Sequence, residues 1–178
     1  MNTLFNDKDI FQKQRPTKPS EKQITDFYLK AAKEVIDGGW CTYDVEDIAK
    51  DLKELNNHYD NGFELAKKFD EGYNVECSYT VDVSFCEWLD CLYSDYEDII
   101  RENEKLWVKA HGIKPLFEKG TKLIVNKNIC RGIDAGMIVY VNGGRMEEAK
   151  YWIDKDSNKN GGTVLDFERV ESCCSIAE

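Results

Sequence analysis

The stretch DVSFCEWLDCLYSDYEDIIRENEKLWVKA, residues 82–110, decides the fold class. Phe85, Leu89, Leu92, Tyr96, Ile99, Asn103, Leu106 and Ala110 recur at spacings of 4, 3, 4, 3, 4, 3 and 4, a heptad stripe with one polar interruption at Asn103. Trp88, Ile100 and Trp107 make the stripe wider than a bare coiled-coil seam. The pattern predicts a long helix that is either the centre of a helical domain or the seam of a homodimer. His111-Gly112 and then Lys114-Pro115 end it.

Upstream, Ser20 and Gln23 have capping-box spacing, so a helix is expected to start there, with Ile24, Phe27, Tyr28, Ala31 and Val35 on its apolar face and Gly38-Gly39 at its end. A second helix is expected from Asp44, with Val45, Ile48, Leu52 and Leu55 inward, ending at Asn56-Asn57. A third is expected over 62–71, burying Phe63, Leu65, Ala66 and Phe69. Residues 1–19, interrupted by Pro16 and Pro19, read as an arm that is mobile unless Leu4, Phe5, Ile10 and Phe11 dock.

Downstream of Pro115 the pattern changes to short strands: Thr121–Asn126, about Gly136–Val141, Ala149–Asp154 and Thr163–Val170. Turn residues separate them at 126–128, at Asn142-Gly143-Gly144 and at 158–162. The expectation is an α+β protein: an N-terminal helical domain of three to four helices (20–112), then a small antiparallel β-barrel-like unit (113–172) and a tail (173–178). Within the second part, GTKLIVNKNICRGIDAGMIVYV (120–141) resembles the KOW-type pattern of strand, basic turn, two glycines and strand. This resemblance, to small β-barrels of nucleic-acid and ribosome-associated proteins, covers about twenty residues and implies a fold; no binding residue is carried over from it.

With 178 residues, 43 of them Leu, Ile, Val or Phe, the chain has enough apolar material for a folded core. No run of eighteen apolar residues exists and the first thirty residues are charged, so neither a membrane span nor a secretory signal is expected. Seven cysteines without paired spacings predict a reducing compartment, the cytoplasm.

Several chemistries are weighed and set aside. Cys41, Cys77, Cys86, Cys91, Cys130, Cys173 and Cys174 form no C-x-x-C pair, and His58 and His111 are the only histidines, so buried thiols are expected rather than a zinc site. Cys86 and Cys91 lie among carboxylates, which disfavours a thiolate nucleophile. The motifs of phosphate-binding loops, dinucleotide folds, nucleophile elbows and zincins are absent from the sequence. Residues 154–168 resemble a calcium loop at Asp154, Asp156, Asn158, Gly162, Val164 and Glu168, but only with three residues inserted, and a polar hairpin loop is the better reading. No cofactor is expected.

The charge map carries the functional expectation. The net charge is −10, yet residues 34–104 alone hold 20 acids and 5 bases, while 1–33 and 105–178 are net positive. Between Asp82 and Glu104 eight acids face one base, Arg101. With the apolar stripe inward, Glu87, Asp90, Asp95, Glu97, Asp98, Glu102 and Glu104 are expected to crowd the outward face, joined by Asp44, Glu46, Asp47, Asp51 and Glu54 of the second helix. A rigid anionic surface of this kind implies a non-enzymatic protein-binding module whose partner is a basic protein surface, such as a nucleic-acid-binding cleft. In composition it looks like the small acidic inhibitors of phages and mobile elements. The alternatives are a merely solvated charged surface, a dimeric adaptor using 82–110 as its seam and the β unit for binding, and a small hydrolase with unrecognised carboxylates. Direct nucleic-acid binding through Lys122, Lys127, Arg131, Arg145 and Lys150, with Tyr140, Tyr151 and Trp152 for stacking, is not expected beside so many acids.

Overall fold

The computed structural model describes residues 15–55, 61–72, 74–157 and 160–177. Leu4, Phe5, Ile10 and Phe11 of the arm, Asn56-Asn57, His58 and Asn158 lie outside these. The described residues form five helices and a five-stranded antiparallel sheet, helices first, an α+β architecture. They divide into two compact units, 16–103 and Arg15 with 104–177. The division falls inside the long helix, between Asn103 and Glu104, rather than at the expected 112.

In the first unit, α1 (Glu21–Asp37) begins with the expected capping box: Gln23 N–H donates to Ser20 Oγ at 3.2 Å, and Ser20 N–H donates to Gln23 Oε1 at 2.9 Å. It is followed by α2 (Val45–Leu55) and α3 (Gly62–Asp70), the latter capped by Asn61, whose side chain accepts from Glu64 N–H at 2.9 Å. The long helix α4 (Val83–His111) opens with Asp82 accepting from Phe85 N–H at 2.8 Å; the bond from the Ser84 hydroxyl, and then that from Phe85, holds the Asp82 carboxyl below its ordinary range. The core joins Tyr28, Ala31, Ala32 and Val35 of α1, Ile48, Ala49, Leu52 and Leu55 of α2, Leu65, Ala66 and Phe69 of α3, and Phe85, Leu89 and Leu92 of α4. Phe85 sits at its centre between Trp40, Trp88, Phe69 and Tyr79.

The stripe of α4 is partly buried here, and one expectation, at Phe63, changes. Phe85, Leu89 and Leu92, three of the eight residues of the proposed seam, are spent on the chain's own core, and the polar interruption Asn103 is satisfied by Gln23. Asn103 and Gln23 exchange two buried amide hydrogen bonds at 2.9 and 3.2 Å. Phe63, expected inside, is 69 % exposed, because Leu65, Ala66 and Phe69 already supply the inward face of a nine-residue helix.

The second unit contains β1 (Lys122–Val125), β2 (Ile138–Arg145), β3 (Lys150–Asp154), β4 (Thr163–Asp166), the short helix α5 (Phe167–Cys173) and β5 (Cys174–Ile176), in the sheet order β4-β3-β2-β1-β5. The sheet is open rather than closed into a barrel. Segment 120–141 folds as strand, loop and strand. Leu123, Val125, Val139, Val141, Tyr151, Ile153 and Leu165 alternate onto the buried face, where Trp107, Phe117, Phe167 and Val170 cover them.

Three local readings are corrected. Asn142-Gly143-Gly144 is not a turn: β2 runs on to Arg145, with a register shift between Val141 and Gly143. Gly144 is needed because a Cβ there would lie 2.0 Å from the Lys150 carbonyl oxygen. The reversal comes afterwards, at Met146–Glu148 and Ala149, which adopts φ 51°. The strand expected over Thr163–Val170 gives way to α5 at Phe167. Residues 174–176, read as tail, instead pair with β1 as an edge strand, Leu123 opposite Ile176 and Val125 opposite Cys174. β3 and β4 pair antiparallel, and between them Asn142 donates its amide to the carbonyls of Asp156 (2.9 Å) and Gly161 (3.3 Å). Glu168, the acid a calcium loop requires, accepts from Arg15. Among the described residues no helix is long and apolar enough to cross a membrane.

Candidate functional site

Sorting the candidate carboxylates by surroundings separates a surface from two buried anchors. Asp44, Glu46, Asp47, Glu54, Glu87, Asp90, Asp95, Asp98 and Glu102 are exposed, and Glu97 is half-buried. Asp51 and Glu104, by contrast, are only 1 % and 4 % exposed and leave the proposed surface.

Asp51 is three residues after Ile48 and four before Leu55, which puts it on the inward side of α2. Its Oδ1 accepts from Glu76 N–H, and its Oδ2 from Cys77 N–H and Tyr79 O–H, all at 3.0 Å. One carboxylate thereby fixes the segment that leads into α4. Burial, reinforced by Asp51, pushes the Cys77 thiol up to about 12 and raises the Tyr79 phenol. A thiol held in its protonated form is a poor nucleophile at neutral pH.

Glu104 lies three residues before the buried Trp107 and belongs to the second unit. Arg15 donates to Glu104 at 2.9 Å, to the carbonyls of Glu148 and Ala149 at 2.8 Å each, and to Glu168 at 3.0 Å, with its guanidinium 5.1 Å from the Trp107 ring centroid. Lys150 bonds the other oxygen of Glu104. The left-handed turn at Ala149 is what presents two adjacent carbonyls to Arg15. Nothing in the local sequence marks Arg15, since its partners lie 89 to 153 residues away.

The cations and aromatics considered for direct nucleic-acid contact divide between the two sides of the sheet, with Lys122 opposite Tyr140 on the outer one. Lys150 is engaged in this ion cluster and Tyr151 is fully buried, its hydroxyl donating to Glu171 at 2.7 Å. Tyr140 and Trp152 lie on the opposite side of the sheet from Tyr151. Of the thiols, Cys41, Cys77 and Cys174 are buried, Cys91 is exposed, and Cys86, Cys130 and Cys173 are intermediate. Among the described residues no three His, Cys, Asp or Glu side chains converge as a metal site would require.

What remains is an anionic face dominated by α4. Residues 16–103 hold 21 acids against 9 bases, net −12, whereas Arg15 and 104–178 hold 11 acids and 13 bases. On α4, Glu87, Asp90, Asp95, Glu97, Asp98 and Glu102 occupy the side away from Phe85, Leu89 and Leu92. Arg101 bridges Asp98 (2.6 Å) and Glu97 (3.1 Å), Tyr93 donates to Glu97, and Asp90 accepts from Gly62 N–H. α2 contributes less, because Lys50 and Lys53 offset part of Asp44, Glu46, Asp47 and Glu54. At about 1.5 Å per residue the six α4 carboxylates extend over roughly 22 Å along the helix axis. No protein-family model, curated protein or solved structure matches the chain.

Proposed function

We propose that this protein is a non-enzymatic, acidic binding module that acts in the cytoplasm as a nucleic-acid mimic, inhibiting a nuclease or nucleoprotein complex by occupying its basic cleft, in the manner of the anti-defence inhibitors of phages and mobile elements. The observation that carries the reading is the row of six outward carboxylates on α4, with Arg101 as the one base on that stretch. A helix holds these charges at fixed spacing, so binding a cationic groove costs little reorganisation, and their summed field accelerates encounter with a basic partner. Like charges at i, i+4, such as Asp98 and Glu102, cost a few tenths of a kcal/mol in the free helix. A basic partner relieves that repulsion.

The test is displacement of labelled double-stranded DNA from a panel of basic nucleases. The expected result is competition by this protein that weakens roughly tenfold or more between 50 and 200 mM salt. The combined change Glu87→Gln, Asp95→Asn, Asp98→Asn and Glu102→Gln should abolish competition, while each single change costs little. Competition that is indifferent to salt, or lost on one single change, refutes the reading.

A further inference from the structure

We infer that the acidic face carries an apolar anchor, Phe63 with Val83, and that its partner is therefore a cationic amphipathic segment: apolar side chains ringed by lysine and arginine. This rests on the proposed function and names the chemistry of the partner surface. Val83 and Phe63, at 74 % and 69 %, are the most exposed of the large apolar side chains among the described residues. They lie beside a single helix–helix contact. The N-terminus of α3 is seated on α4: Gly62 N–H donates to the Asp90 carboxylate, and a Cβ at Gly62 would come within 2.1 Å of the Cys86 carbonyl oxygen and 2.6 Å of Asp90 N. Phe63 is the next residue along α3. Val83 precedes Cys86 and Glu87 by three and four positions, which puts it one turn away on the same side of α4.

Neither side chain is required by the core, which takes Leu65, Ala66 and Phe69 from α3 and Phe85 and Leu89 from α4. Both stand in first turns that are fixed before any partner arrives, one by the Asn61 cap and one by Asp82. Glu64 follows Phe63, Asp82 precedes Val83, and Glu87 and Asp90 lie one and two turns further along α4; all four are exposed. Apolar side chains flanked by carboxylates repel a phosphate backbone and match a cationic surface that also offers an apolar pocket. A protein imitating polyanion charge alone has no use for the pair.

The experiment compares two labelled peptides of equal positive charge by fluorescence anisotropy with the full chain: an oligolysine, and an amphipathic helix with leucines at i, i+3, i+4 and i+7. At about 150 mM salt the amphipathic peptide should bind roughly tenfold more tightly, the order expected for burying one large apolar side chain. Phe63→Ser should remove most of that difference, and Val83→Ser part of it, while oligolysine affinity and its salt slope stay unchanged. Equal binding of both peptides to the unaltered protein overturns the anchor and leaves the anionic reading standing. Failure of both peptides to bind, or binding indifferent to salt, overturns both. A concentration-dependent mass that Phe63→Ser abolishes assigns the pair to a second copy of this chain and overturns the proposal.

Discussion

Replacing Asp51 should unfold the first unit far more readily than replacing any exposed acid of the same helix. The Asp51 carboxylate accepts three hydrogen bonds at 3.0 Å, two from backbone amides and one from Tyr79, and it is only 1 % exposed. A hydrogen bond to a charged acceptor contributes about 1.5–3 kcal/mol, and a buried donor left without a partner costs about 1–3 kcal/mol. Asp51→Ala deprives the buried Cys77 N–H of its acceptor and releases the segment leading into α4, for an expected loss of about 3–5 kcal/mol after the carboxylate's own desolvation is recovered. Asp51→Asn keeps one oxygen but turns an NH2 toward a donor, for a loss of about 2 kcal/mol. Asp47→Asn, exposed on the same helix, should stay within about 0.5 kcal/mol of the parent. Urea unfolding followed by circular dichroism reads these values: with a slope of about 1–3 kcal/mol per molar, Asp51→Ala lowers the midpoint by roughly 1–5 M at unchanged slope. An Asp51→Ala midpoint indistinguishable from that of Asp47→Asn would falsify the anchoring role.

Three further outcomes follow from the same structure. Arg15→Lys should cost about 2–4 kcal/mol, since an ammonium cannot reproduce the four donor contacts to Glu104, Glu148, Ala149 and Glu168; amide exchange at Ala149 and Lys150 should quicken accordingly. Gly144→Ala should disrupt the β2–β3 pairing, whereas Gly120→Ala, strained at φ 91° but with open space around its Cβ, should lose only about 1 kcal/mol, as parallel thermal melts will show. Burial pushes the Cys174 thiol up to about 11, and burial with Asp51 pushes that of Cys77 up to about 12, from an ordinary 9. The folded state therefore keeps these protons longer than the unfolded chain. Their contribution to stability is whole below about pH 9 and is lost as pH rises through 9 toward 11 and 12, while mass-resolved alkylation at pH 8 should modify Cys91 before either.

Periodicity and capping chemistry are properties of consecutive residues, and these were legible. The capping box at Ser20, the stop at Gly38-Gly39, the long helix ending at His111 and the change to strands after Pro115 all follow from neighbours within a few positions. Signals that admit two geometries were misread. A Gly-Gly pair serves a turn or a close approach between strands equally well, and only the Lys150 carbonyl beside Gly144 distinguishes them. The tail residues 174–176 carry no pattern of their own; they become a strand because the free edge of β1 supplies hydrogen-bond partners.

For the candidate site the division is similar. The sequence by itself determined that the anionic excess lies in the middle of the chain and that most of the carboxylates on the long helix face away from its apolar stripe, because charge and helical period can be counted along one dimension. Only the tertiary structure decided that Asp51 and Glu104 are withdrawn from that surface and that Phe63 is left exposed. Whether a carboxylate near an apolar stripe is solvated or buried depends on whether donors arrive to satisfy it. Those donors, Cys77 and Tyr79 for Asp51, Arg15 and Lys150 for Glu104, come from positions 26 to 89 residues distant.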